Sequence, residues 1–200
     1  MRFFDSRLGL DLTYYQQTTK DQILSLPLSQ ATGYKRAVIN AGEIANKGIE
    51  ASLSFVPVRT KNFTWDASVN FAKNYNEVVK LHDEVKDFEL ASARWANASI
   101  YASEGQPYGV IVGKKLKRTE KGDVIFENGL PTFDDKVSVL GNGNYDFTLG
   151  FRNAFTYKNL SMSVLFDMKF GADIYSMSAM QSHVNGTSKE TLEGRQEWYL

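Results

Sequence analysis

Every second residue from Leu160 to Phe170 is large and apolar: Leu160, Met162, Val164, Phe166, Met168 and Phe170. Ser161, Ser163, Asp167, Lys169 and Gly171 fall on the other side of that repeat. A helix would scatter such a set around its circumference, whereas a strand gathers it on one face. The same repeat occurs four times upstream. Leu8, Leu10, Leu12 and Tyr14 oppose Gly9, Asp11, Thr13 and Tyr15; Ile49, Ala51, Leu53 and Phe55 oppose Glu50, Ser52 and Ser54. Phe63, Trp65, Ala67, Val69 and Phe71 oppose Thr64, Asp66, Ser68 and Asn70. Phe147, Leu149, Phe151, Phe155 and Tyr157 oppose Asp146, Thr148, Gly150, Arg152 and Thr156, with Asn153 the one polar residue on the apolar side.

The length of these runs narrows the fold. Ten or eleven residues at about 3.3 Å each, tilted by about 40°, cover roughly the 25 Å apolar band of an outer-membrane barrel. Strands of ordinary globular proteins average about five or six residues. The polar faces are small and rich in hydroxyls, with charge of both signs, as a wet lumen requires. We therefore expect an all-β protein: an antiparallel transmembrane β-barrel wall. A soluble β-sandwich that binds carbohydrate is the alternative, because its strands alternate too, with the apolar side turned to a core. No run approaches the roughly 18 consecutive apolar residues of a membrane helix.

The connections sort by length. Strands two and three are joined by Arg59-Thr60-Lys61-Asn62, and strands four and five by Lys158-Asn159. Those from Gln16 to Asn46, from Tyr75 to Asn144 and beyond Tyr175 are long. Short turns on one rim and long loops on the other are the barrel pattern, the short side being periplasmic. Phe55, Phe63, Trp65, Phe155 and Tyr157 cluster by the short turns; Tyr14, Phe71, Tyr145, Phe147 and Phe170 cluster by the long loops. These are two aromatic girdles, since amphipathic rings favour the interface. Pro57 is expected at a strand end, where a missing donor is tolerated. Within the outer loop of about residues 75–144, Val78, Leu81, Val85 and Phe88 suit either a helix or an outward extension of the third strand. Val110–Val112 and Val124–Phe126 read as a small hairpin.

Chemistry is limited by what is missing. Lys+Arg 23 balance Asp+Glu 23, which argues against a nucleic-acid partner. There is no cysteine, and the two histidines, His82 and His183, stand about a hundred residues apart without a partner motif. Asp134-Asp135 read as a solvated loop pair. Neither an enzyme, a metal site nor a cofactor is expected. The candidate substrate contacts are Glu50, Asp66, Arg152, Asp167 and Lys169 on the luminal face, which equally suit an ion-pair network bracing the wall. Trp95, Tyr101 and Tyr108 in the outer loop offer rings for stacking, or for the loop's own small core.

Several segments together resemble a family. The stretch Asn40-Ala41-Gly42-Glu43-Ile44-Ala45-Asn46-Lys47-Gly48-Ile49-Glu50 is similar to the approach to a barrel strand in SusC/RagA-type TonB-dependent outer-membrane transporters of Bacteroidetes. Asn74, Asn76–Leu81, Glu104–Gly109, Leu140-Gly141-Asn142, Gly150–Asn153, Tyr157–Leu160, Gly171–Tyr175 and Gly194–Tyr199 continue it in order. The resemblance implies a plugged barrel of about 22 strands in the bacterial outer membrane, in contact with lipid. It further implies a SusD-like surface lipoprotein, energy from the TonB complex, and import of oligosaccharides or peptides. Residues 1–200 are then expected to be a partial TonB-dependent receptor β-barrel domain, a fragment showing no signal peptide, TonB box, plug or closing strand.

Overall fold

The computed structural model describes residues 1–27, 31, 33–34, 36–40, 42–82, 85–92 and 98–194. Its main feature is a six-stranded antiparallel sheet. In chain order its members are β1 (Arg2–Phe3) and β2 (Leu8–Thr19), then, past two loop strands β3 (Ile23–Pro27) and β4 (Arg36–Asn40), β5 (Glu43–Arg59) and β6 (Phe63–Lys80). The chain then builds an outer sheet from β7 (Asp87–Ser92), β8 (Ala98–Ser103) and β9 (Val110–Leu116), followed by the small hairpin β10 (Phe126–Glu127) and β11 (Leu130–Pro131) and by β12 (Phe133–Asn142). It returns to the main sheet with β13 (Phe147–Tyr157) and β14 (Leu160–Phe170), and ends the described part with helix α1 (Met177–Val184) and a 3-10 turn at Lys189–Thr191.

The main sheet runs β1-β2-β5-β6-β13-β14, an open up-and-down wall. Its register aligns the expected faces. Leu12, Ala51, Phe71, Leu149 and Met168 form one row across five strands, and Asp11, Ser52, Asn70, Gly150 and Asp167 form the next, on the opposite face. A one-residue slip at any ladder would exchange the two faces, so the alternation selects this register. Among the described residues nothing covers the apolar face: Leu12 is 69% exposed, Met162 57% and Phe166 54%.

Both short turns lie on one rim, since the Lys158 amide donates to the Asn62 carbonyl at 2.9 Å. The aromatic bands are also in place. Trp65 stacks on Phe155 at 5.8 Å near the short turns, and Phe71, Phe147 and Phe170 form a run with centroids 5.7 and 4.6 Å apart toward the loops.

One open choice is decided and two local expectations need correction. The segment 75–80 extends β6 outward, the second of the two alternatives, and Phe88 belongs to β7. Val110–Val112 does not form a hairpin with Val124–Phe126: β9 is flanked by β8 and β12, while Phe126 pairs with Pro131. Pro57 is inside β5, at a register shift between Phe55 and Val58, not at its end. For the first, Val78, Leu81, Phe88 and Ala102 bury one another, with Leu90 and Tyr108 packed alongside, and this small core needs β6 to continue beyond its ladder with β13. Strand pairing supplies it; a helix on the same residues would not reach the outer sheet.

Candidate functional site: the polar face of the wall

The polar face carries most of its charges in two separate zones. Midway along the strands is a cleft of about 460 Å³ lined by Asp11, Thr13, Glu50, Ser52, Asn70 and Asp167, among others. Among the described residues it holds three carboxylates and no basic side chain. Toward the short turns a second cleft of about 330 Å³ is lined by Arg2, Arg7, Arg59 and Arg152, with Asp66 the only acid among its described residues. The hydroxyls between them are used locally: Ser52 donates to Asn70 Oδ1 at 2.8 Å, and Ser54 to the Gly9 carbonyl at 3.5 Å.

The bulge at Pro57 sets part of this pattern. Upstream of it the odd-numbered residues of β5 face the apolar side; continued unbroken, that parity would send Arg59 there too. The extra residue between Phe55 and Val58 reverses the alternation, so Val58 pairs with Trp65 and Arg59 with Thr64. Arg59 therefore joins the second cleft. Bulges re-aim side chains in this way, and a proline is tolerated where the ladder is already interrupted.

Of the sequence candidates, the structure brings Glu50 and Asp167 into the first cleft and Asp66 and Arg152 into the second. Lys169 shares that polar face, opposite Thr148, and its Nζ stands 5.3 Å from the Tyr145 ring centroid. Among the described residues none of these five makes an ion pair within 4.0 Å. Tyr101 and Tyr108 lie in the outer region, away from both clefts. The Tyr101 hydroxyl donates to Glu89 Oε2 at 3.4 Å, and burial, then the Glu89 carboxylate, push the phenol above its ordinary pKa. Tyr108 packs on the small outer core. Trp95 lies outside the described residues, as does the segment 195–199. Arg2, Arg7 and Arg59 were not among the candidates; the four-residue turn after Phe3 and the Pro57 bulge bring them in, and neither shows in a two-residue repeat.

The family-like segments meet at the loop-side rim. Asn76 Oδ1 accepts from the Tyr108 amide at 2.6 Å, the Glu104 carboxylate accepts from the Leu81 amide at 2.8 Å, and the Gly105 amide donates to the Val78 carbonyl at 2.8 Å. Asn144 Nδ2 donates to the Tyr108 carbonyl and to Asn142 Oδ1, both at 2.8 Å, and Asp173 accepts from the Asn142 amide at 2.8 Å. The outer sheet is thereby mounted on the ends of the wall strands. Nearer the wall, Tyr15 donates to Asn74 Oδ1 at 2.9 Å, and its ring end occupies the space that a Cβ on Gly48 would need.

Comparison with known proteins supplies the wider frame. Residues 1–98 match the family model described as TonB dependent receptor-like, beta-barrel. The chain is 28% identical over 222 residues to TonB-dependent receptor P39 of Formosa agariphila, covering 88% of this chain and 21% of that protein. It is 34% identical over 147 residues to TonB-dependent receptor SusC of Bacteroides thetaiotaomicron, covering 72% of this chain and 14% of that one. In solved structures the RagAB peptide transporter superposes with a TM-score of 0.66 at 20% identity, over 84% of this chain and 20% of that one. The open-open state of the RagAB peptide importer gives a TM-score of 0.60 at 21% identity, over 84% of this chain and 19% of that one. The chain thus spans between 14% and 21% of the length of these relatives.

Proposed function

Because this chain belongs to the SusC/RagA-type TonB-dependent receptor β-barrels, we propose that it is a stretch of the wall of an outer-membrane active transporter. The whole barrel would have about 22 strands around a plug. Its cargo would be oligosaccharides or peptides, admitted with a SusD-like surface lipoprotein and driven through the TonB complex.

One observation carries this reading. The same five long strands present an exposed apolar face between two aromatic bands and a polar face with sorted charges. Lipid satisfies the first and water the second, as in any transmembrane barrel. The carbohydrate-binding sandwich is disfavoured by the same fact, since its apolar face would require a second sheet and Leu12, Met162 and Phe166 remain exposed.

On this reading the clefts line the cargo path, with Glu50, Asp66, Arg152, Asp167 and Lys169 as wall contacts. The outer sheet, with Tyr101 and Tyr108 at it, stands where cargo and lipoprotein arrive, and Trp95 is kept as a third aromatic candidate for that contact. The test is a cell whose only copy carries Asp11→Asn, Glu50→Gln and Asp167→Asn. We expect normal amounts of folded protein in the outer-membrane fraction, and altered uptake of oligosaccharide or peptide mixtures. Recovery of the intact wild-type protein as a compact, detergent-free soluble species overturns the proposal.

A further inference from the structure

At the loop-side aromatic band, and one row beyond it, the apolar face changes character. Tyr14 pairs with Ile49 and Ile49 with Lys73; one row further out, Gln16 pairs with Lys47 and Lys47 with Tyr75. Lys47 and Lys73 therefore occupy diagonal positions on adjacent strands, with Cβ atoms about 7–8 Å apart at most. They stand on the side of the wall that carries Leu12, Leu53 and Phe71, not on the side of the two clefts.

Both lysines are exposed, and among the described residues neither makes an ion pair within 4.0 Å. The Lys47 ammonium rests 4.9 Å from the Tyr75 ring centroid, so its stem is held along the wall with the charge at the edge of the apolar belt. Two phenols stand beside them: Tyr14, 64% exposed, whose hydroxyl donates to Gln16 Oε1 at 3.5 Å, and Tyr75, 46% exposed. The acid on this face next in line, Glu77, pairs with Ala45 one row further out and makes no ion pair with either lysine. Nearby Glu43 is engaged by Lys20 at 3.7 Å.

We propose that Lys47 and Lys73, with Tyr14 and Tyr75, form a binding site for the phosphate of an anionic lipid headgroup in the leaflet on the loop side. Continuity decides for a lipid. Beside Lys73 stands the exposed Ile49, and below it runs the apolar row of Leu12, Ala51 and Phe71, against which acyl chains of the same molecule lie. A phosphate with several charges engages two ammonium groups at once, and two phenolic O–H groups add neutral donors. A free phosphate would gain nothing from the belt.

The inference rests on the wall spanning a membrane, and the experiment separates the two claims. The intact protein is reconstituted in phosphatidylcholine nanodiscs with or without a small fraction of diphosphoryl lipid A, and bound lipid A is counted by native mass spectrometry. Lys47→Gln with Lys73→Gln should lower lipid A retention about thirtyfold, the effect of two interfacial charges at about 1 kcal/mol each. The control pair Lys61→Gln with Lys158→Gln, on the opposite rim, should change it less than about twofold. Equal retention by wild type and the Lys47/Lys73 variant overturns the site, as does an equal loss from both variant pairs. A protein that never enters the nanodisc fails the membrane reading itself.

Discussion

The Trp65 indole donates through Nε1 to Asn153 Oδ1 at 3.1 Å, from β6 to β13 on the apolar face. Asn153 is the polar interruption in an otherwise apolar row, and it is 8% exposed. The indole N–H satisfies its buried carboxamide oxygen. A hydrogen bond shielded from water leaves a costly orphan if one partner is removed. Trp65→Phe should destabilise the intact protein by about 1–3 kcal/mol. Adding Asn153→Leu to Trp65→Phe should return part of that loss. Unfolding in urea, followed by the gel shift of the folded barrel, reads both; purely additive effects of the two substitutions would contradict the coupling.

Sidedness gives a second outcome. Val164 and Leu149 share the apolar face, whereas Ser163 pairs with Ala154 on the polar one. Val164→Arg or Leu149→Arg should cost about 2–4 kcal/mol if placed near the membrane midplane. Ser163→Arg, facing water, should cost far less in the same unfolding measurement. Equal costs would mean that both faces are dry.

Gly48 is constrained by space. A Cβ there would lie 2.5 Å from the Lys73 carbonyl oxygen and 2.5 Å from the Tyr15 hydroxyl. The backbone carbonyl cannot swing away as a side chain does. Gly48→Ala should therefore cost about 1–3 kcal/mol, the range for forced overpacking. Tyr15→Phe, which loses only the bond to Asn74, should cost about 1 kcal/mol. Folded yield and unfolding midpoint rank the two variants.

His183 predicts a local pH response. Its Nδ1 faces the Ala179 carbonyl at 2.8 Å and its Nε2 faces Glu190 Oε2 at 2.6 Å. Both neighbours are acceptors, and only the imidazolium donates from both nitrogens. The bond to the Ala179 carbonyl, then that to Glu190, raises the pKa above the ordinary 6.5. A raised value means that the bracing is complete below about 6.5 and is lost as pH rises through the folded-state value. Amide exchange of Asn185–Leu192 should accelerate across that window, and Glu190→Gln should flatten the response.

The two-residue repeat was sufficient to identify five wall strands, their two faces, the short-turn rim and both aromatic bands. The reason is local: each strand's alternation states which side must be dry, and register has to agree with it. Asn153 read as a lapse because its partner, Trp65, is 88 residues away. Arg59 would have been assigned to the apolar side by counting from Phe55; only the bulge at Pro57, a feature of pairing with β6, turns it to the clefts. The segment from Tyr75 to Phe88 satisfied two periodicities at once, and the contacts of Val78 with Leu81, Phe88 and Ala102 chose the strand. The charge zones arise the same way, since Asp11, Glu50 and Asp167 come from three strands that only the sheet makes neighbours. Periodicity is written in consecutive residues, so the chain alone determined the faces; strand length, bulge position and the company each charge keeps depend on long-range pairing, and the tertiary structure decided those.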